Sequence, residues 1–141
     1  MNKRKLDDRR RPERVASRVR EELASLMARE LSDPRLSNVV LARVHATDDL
    51  SLVRIGVSAL DDDDAQTRAR AAVKVLVSIT STIRTKLAPK LGMRRVPTLE
   101  FRVASAADAD ARIDSLLAEV SRELSTSAKR AGGEGSGDGK K

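Results

Sequence analysis

The sequence predicts an α+β domain: a three-stranded sheet with helices packed on one face. Two patterns carry this expectation. Three short runs alternate apolar and polar residues, the period of a strand with one buried face. Around them, apolar residues recur at three- and four-residue steps, the period of a helix with one buried stripe. A third observation bears on function. Residues 84–95 hold Arg84, Lys86, Lys90, Arg94 and Arg95 and no carboxylate, in a chain with 21 Asp and Glu.

Residues 1–11 carry Lys3, Arg4, Lys5, Arg9, Arg10 and Arg11 against Asp7 and Asp8, which predicts a flexible basic arm. Pro12 suits the first turn of a helix. Val15, Val19, Leu23, Leu26, Met27 and Leu31 then form one apolar stripe, so a helix is expected over 12–31. Ser32-Asp33-Pro34 stops it, because proline disfavours a helical residue before it. Residues 38–47 alternate, with Val40, Ala42, Val44 and Ala46 on one face and Leu41, Arg43, His45 and Thr47 on the other. Thr47-Asp48-Asp49 is a turn. Residues 51–60 alternate again, with Val53, Ile55, Val57 and Ala59 facing one way. The two runs read as a hairpin.

Asp61 to Asp64 read as an acidic loop at a helix N-terminus, where negative charge is favourable. Ala69, Ala72, Val73, Leu76, Ile79, Ile83 and Leu87 keep helical spacing. The β-branched residues and serines between Val75 and Ile83 are mediocre helix formers. The expectation is a helix over 65–88, broken or kinked around Thr80-Ser81 and ended by Pro89. Residues 97–104 form a third strand, with Leu99, Phe101 and Val103 inward. A last helix over 107–124 uses Ile113, Leu116, Leu117, Val120 and Leu124. From Ser125 onward Gly, Ser and Lys dominate, which predicts a disordered tail over 125–141. The folded domain is thus expected over 12–124.

Composition narrows the function. With 28 Lys and Arg the net charge is +7, a balance that favours a polyanion over an acidic small substrate. There is no cysteine, so neither a disulfide framework nor a Cys-based metal site exists. No apolar run approaches the roughly 18 residues that span a bilayer, and Met1-Asn2-Lys3-Arg4-Lys5 lacks the apolar stretch of a signal peptide. A cytoplasmic protein without a membrane partner is expected. Phe101 is the single aromatic residue. Domains that stack bases on aromatic rings need several, so a typical RRM or OB-fold is excluded. Nucleic acid would be held by phosphate contacts, shape and hydrogen bonds.

No enzyme site emerges. His45 is the only histidine and sits on the polar face of a strand. The run Asp61–Asp64 lacks the alternating ligands, central glycine and closing glutamate of a calcium loop. Asp48-Asp49 is accounted for by the turn. No Walker loop or dinucleotide fingerprint is present. No metal, cofactor or small-molecule substrate is expected.

Four stretches then carry a family resemblance: Arg11-Pro12-Glu13-Arg14-Val15, Asp33-Pro34-Arg35-Leu36, Asp49-Leu50-Ser51, and Met93-Arg94-Arg95-Val96-Pro97-Thr98-Leu99-Glu100-Phe101. Ile83-Arg84 and Arg112-Ile113-Asp114-Ser115-Leu116-Leu117 accompany them. Over residues 11–117 the chain resembles the bacterial ribosome-binding factor A family, which has a type II KH-like fold of order α-β-β-α-α-β. The resemblance implies a monomeric small-subunit assembly factor. Such a factor binds the immature 30S particle through 16S rRNA and assists late maturation, including 5′-end processing. It is not itself a nuclease, and it supports growth in the cold.

KH domains usually carry a Gly-x-x-Gly loop between two helices, and this chain has none there. The family replaces that loop with an Ala-x-Gly kink, and the corresponding positions here are Ile79, Thr80 and Ser81. Serine can still bend a helix through its hydroxyl. Without a glycine loop, phosphate contacts fall to side chains. The expected RNA-binding residues are Arg84, Lys86, Lys90, Arg94 and Arg95, with Arg14, Arg11 and the arm as auxiliaries. Arg94, which the family pattern keeps, is the least expected of these to touch RNA directly. Two other readings compete with this one: a general DNA- or RNA-binding architectural module, and a protein-only adaptor.

Overall fold

The computed structural model describes residues 3–60 and 63–138, with side chains described over 10–60 and 63–126. Asp61 and Asp62 of the acidic loop, and residues 1–2 and 139–141 of the arm and tail, lie outside the described residues. The order is α1 (Lys3–Arg29), a single 3-10 turn (Pro34–Leu36), β1 (Val39–Ala46), β2 (Leu52–Ala59), α2 (Ala65–Ser78), α3 (Thr80–Leu91), β3 (Thr98–Val103) and α4 (Ala106–Asp138). This is the α+β, KH-like arrangement expected, with strand order β1-β2-β3. β1 pairs antiparallel with β2, and β2 pairs parallel with β3.

One core joins the helices to the sheet. Val19 and Leu23 of α1, Val53, Ile55 and Val57 of β2, Leu76 of α2, and Ile83 and Leu87 of α3 are fully buried. Leu99 and Phe101 complete the inner face, set opposite Val53 and Ile55 by the parallel register. The other face carries Arg43, His45, Arg54 and Arg102, all exposed. Two of these have ion-pair partners: Arg43 with Asp108, and Arg102 with Glu100.

The first strand departs from the expected alternation. Its register shifts between Leu41 and Arg43, so Ala42 is the extra residue of a β-bulge. Before the bulge Val39 and Leu41 oppose Ala59 and Val57. After it Val44 and Ala46 oppose Ile55 and Val53. Leu41 is therefore a core residue, and Val40 does not share the face of Val44. The guanidinium of Arg20 donates to the carbonyl oxygen of Leu41 at this irregularity. Burial lowers the Arg20 pKa, nearby Arg112 lowers it further, and Glu119 opposes the shift.

Three helix boundaries also differ. Pro89 lies inside α3, which runs on to Leu91. Leu91 still packs on the core, and the stop is Gly92, at φ 61° in the left-handed region that glycine adopts without steric cost. At the N-terminus the backbone is helical from Lys3, nine residues ahead of the expected start. No glycine or proline interrupts residues 3–11, which are rich in good helix formers. At the other end α4 continues to Asp138, past the expected end at 124. Ser125 to Arg130 also lack a breaker, but composition does not explain helix through Gly132-Gly133.

Candidate nucleic-acid interface

Three of the four resembling stretches, 11–15, 49–51 and 93–101, meet in space. A groove of about 930 Å3 is lined by Arg11 of α1, Asp49, Leu50 and Ser51 of the hairpin turn, Arg84 of α3, and the segment from Gly92 to Thr98. The parallel pairing brings them together: the amide of Thr98 donates to the carbonyl of Ser51 at 2.9 Å. Asp33-Pro34-Arg35-Leu36 is elsewhere. There Asp33 caps the 3-10 turn, accepting from the Arg35 amide at 2.9 Å and the Arg35 guanidinium at 2.7 Å. The Arg35 hydrogen bonds hold the Asp33 pKa down, to about 2.

Four arginines thus line one groove: Arg11, Arg84, Arg94 and Arg95. The one carboxylate in its lining is Asp49, and its Oδ1 is engaged. It accepts from the Thr47 hydroxyl at 2.8 Å, the Ser51 hydroxyl at 2.8 Å and the Ser51 amide at 3.1 Å. The hydroxyl bonds from Ser51 and Thr47 and the Ser51 amide lower its pKa. This knot holds Leu50 at φ 60°, an uncommon conformation for a side chain with a Cβ. Leu50, Met93, Val96 and Pro97 provide apolar wall between the charges.

The seven expected contact residues fall into separate groups. Arg94 and Arg95 are exposed. Arg84 is half-buried, and its Nη2 donates to the carbonyl of Val96 at 2.7 Å, tying α3 to the approach of β3. Its Nε is buried without a hydrogen-bond partner. Lys86 and Lys90 do not line the groove. They turn to α1, where Lys86 Nζ lies 3.1 Å from Glu30 and Lys90 Nζ 3.6 Å from Glu22. Arg14 lies on another face of α1, beside Arg10, Arg18, Glu13 and Glu21. Asp49 and Leu50 also line the groove and are not among the residues expected to contact RNA.

α2 and α3 meet at Ile79, which ends one helix and starts the next at φ −111°, ψ 18°. The hydroxyls that bond back onto the helix here are those of Ser78, to Val75 at 2.7 Å, and Thr80, to Leu76 and Val77, each at 2.9 Å. Ser81 contributes its carbonyl, to the Thr85 hydroxyl.

Such a groove suits oxyanions. Guanidinium groups form forked, charge-assisted hydrogen bonds to phosphate oxygens, and its lining offers no aromatic ring for base stacking. Among the described residues no group of three or more His, Asp or Glu is placed to hold a metal ion.

Comparison with known proteins gives the family and the fold. A family model described as ribosome-binding factor A matches residues 11–117. The chain is 40% identical over 111 residues to ribosome-binding factor A of Sorangium cellulosum, covering 78% of this chain and 88% of that one. It is 34% identical over 113 residues to the Pelobacter propionicus protein of the same name, covering 80% and 90%. Among solved structures, a Thermotoga maritima protein described as a ribosome binding factor A aligns with a TM-score of 0.50 at 23% identity. That alignment covers 67% of this chain and 84% of that one, and it speaks for the fold.

Proposed function

The chain belongs to the ribosome-binding factor A family, and from that premise we propose that it binds the immature 30S subunit through 16S rRNA phosphates gripped in the arginine groove. It acts as a monomeric cytoplasmic assembly factor in late maturation, including processing at the 16S 5′ end, and it supports growth in the cold. Its part is to bind and hold RNA rather than to cut it.

One observation carries the reading. Segments distant in the chain converge on four arginines, and the one carboxylate among them is held by Thr47 and Ser51. Arg94 and Arg95 are the direct contacts, because they are exposed and carry no structural bond comparable to that of Arg84. Arg11 extends the grip. Lys86, Lys90 and Arg14 add to the field from neighbouring faces.

Three phosphate contacts give a log–log salt slope of about −2.4, so affinity should fall roughly 30-fold between 50 and 200 mM salt. The test is co-sedimentation of the full chain with purified 30S precursors. The Arg94→Glu/Arg95→Glu variant should fold normally and stay at the top of the gradient. A folded variant that still travels with the particle refutes the groove as the interface.

A further inference from the structure

α4 differs in kind from the rest of the molecule. In a chain of net charge +7, residues 106–126 contain Asp108, Asp110, Asp114, Glu119 and Glu123 against Arg112 and Arg122. Its apolar residues Ile113, Leu116, Leu117, Val120 and Leu124 lie within one stripe about 100° wide. Only the first part of that stripe is used. Ile113 and Leu116 are half-buried, with Leu116 facing the cleft between α1 and β1. Beyond them the helix outruns the domain. Leu117, Val120 and Leu124 are 62%, 51% and 66% exposed, at the four- and three-residue steps of a packing seam.

We propose that this overhanging half of α4 is a docking face for a second protein, specifically a basic amphipathic segment. The segment lays apolar side chains along Leu117, Val120 and Leu124 and sets Lys or Arg against the carboxylates beside them. The charge pattern selects this occupant. On a helix of 3.6 residues per turn, Asp114 flanks the seam on one side and Glu123 on the other, while Arg122 falls on the opposite face. RNA phosphates would meet these carboxylates at close range. A second copy of the chain would bring the same carboxylates against their counterparts, and like charges beside a helical seam disfavour pairing. A basic, apolar helix satisfies both features of the surface.

The face is independent of the arginine groove, and the test keeps them apart. The probe is an 18-residue amphipathic helix of Leu and Lys, compared with its Leu and Glu counterpart, each titrated against the full chain. The lysine peptide should bind, and the glutamate peptide should bind at least roughly tenfold more weakly, a difference of about 1.4 kcal/mol. Leu117→Ser/Leu124→Ser should abolish the binding, and Asp114→Lys/Glu123→Lys should reverse the preference between peptides. All of these positions are exposed, so melting temperatures should be unchanged. Arg94→Glu/Arg95→Glu should leave peptide binding intact. A photoreactive residue at Val120, on the chain bound to 30S particles, should crosslink to a polypeptide. Crosslinking to rRNA, unaltered peptide binding by the double serine variant, or a concentration-dependent dimer that this variant dissolves would each overturn the proposal.

Discussion

Arg84 and the pair Arg94 and Arg95 share one groove, yet they should fail in opposite ways. Arg84 donates to the Val96 carbonyl at 2.7 Å and carries a buried Nε without a partner. Replacing it with Met keeps most of the stem and removes both features. The lost bond, a charged donor on a backbone carbonyl, is worth about 1.5–3 kcal/mol, and release of the unsatisfied Nε returns about 1 kcal/mol. The net expectation is a destabilisation of about 1 kcal/mol, which lowers Tm by about 4 °C in a domain of this size.

The double variant Arg94→Gln/Arg95→Gln removes two exposed charges. Surface changes of this kind stay within about 0.5 kcal/mol, so its Tm should hold. Its RNA binding should not: each lost phosphate contact removes about 0.7–0.9 from the salt slope, about 1.6 for two. The assay pairs thermal melts with filter binding of 16S rRNA fragments at several salt concentrations. If Arg84→Met leaves Tm unchanged and flattens the slope as much as the double variant does, the division of roles is wrong.

Three further outcomes are expected. The Asp33 carboxyl titrates at about 2 in the fold against an ordinary value of 3.8, so its stabilisation is present above pH 3.8 and is lost as pH falls toward 2; Asp33→Asn should flatten thermal stability across that window. Gly92 sits at φ 61° with open space where a Cβ would go, so Gly92→Ala should cost about 1 kcal/mol from the backbone alone, read by denaturant melts, and Gly92→Asn should cost less. Helix beyond the packed core has little to hold it. Amides of residues 3–11 and 127–138 should therefore exchange within seconds, and a 12–124 chain should melt within about 2 °C of the full one.

The strands were legible because their alternation is local. The expected runs 38–47, 51–60 and 97–104 contain the observed Val39–Ala46, Leu52–Ala59 and Thr98–Val103. The bulge was not legible, because Val39-Val40-Leu41-Ala42 is apolar at every position and fits either register. Pairing with β2 decides between them. The groove was half legible. Charge pointed to residues 84–95, but the arrival of Arg11 and the 49–51 turn depends on the parallel β2–β3 pairing, which leaves no local mark. The turn of Lys86 and Lys90 toward α1 could have been read from spacing. Residues two apart on a helix do not share a face, so Arg84 and Lys86 could not both line one groove.

That helical phase also explains why one acid-poor segment both builds the fold and serves its surface. Facing α1, Lys86 and Lys90 find Glu30 and Glu22, so part of their charge is spent between helices. Arg84 finds a carbonyl and fixes where β3 begins. Gly92 then ends the helix, and the chain turns through Met93, Arg94 and Arg95 before Thr98 joins Ser51. The two exposed arginines are thereby anchored on both sides, by a helix stop and by a strand pairing. Beside them the Asp49 carboxylate is held by Thr47 and Ser51, which limits its freedom to swing over and neutralise them. Cations held this way lose less conformational entropy on meeting a phosphate than the same residues in a free arm would. On that argument substitutions in the 49–51 turn should weaken RNA binding without touching RNA: Asp49→Ala removes a negative charge from the groove, yet it should lower affinity by loosening the wall that positions Arg94 and Arg95. A simple gain in affinity from the lost charge, measured with the same rRNA fragments, would refute that argument.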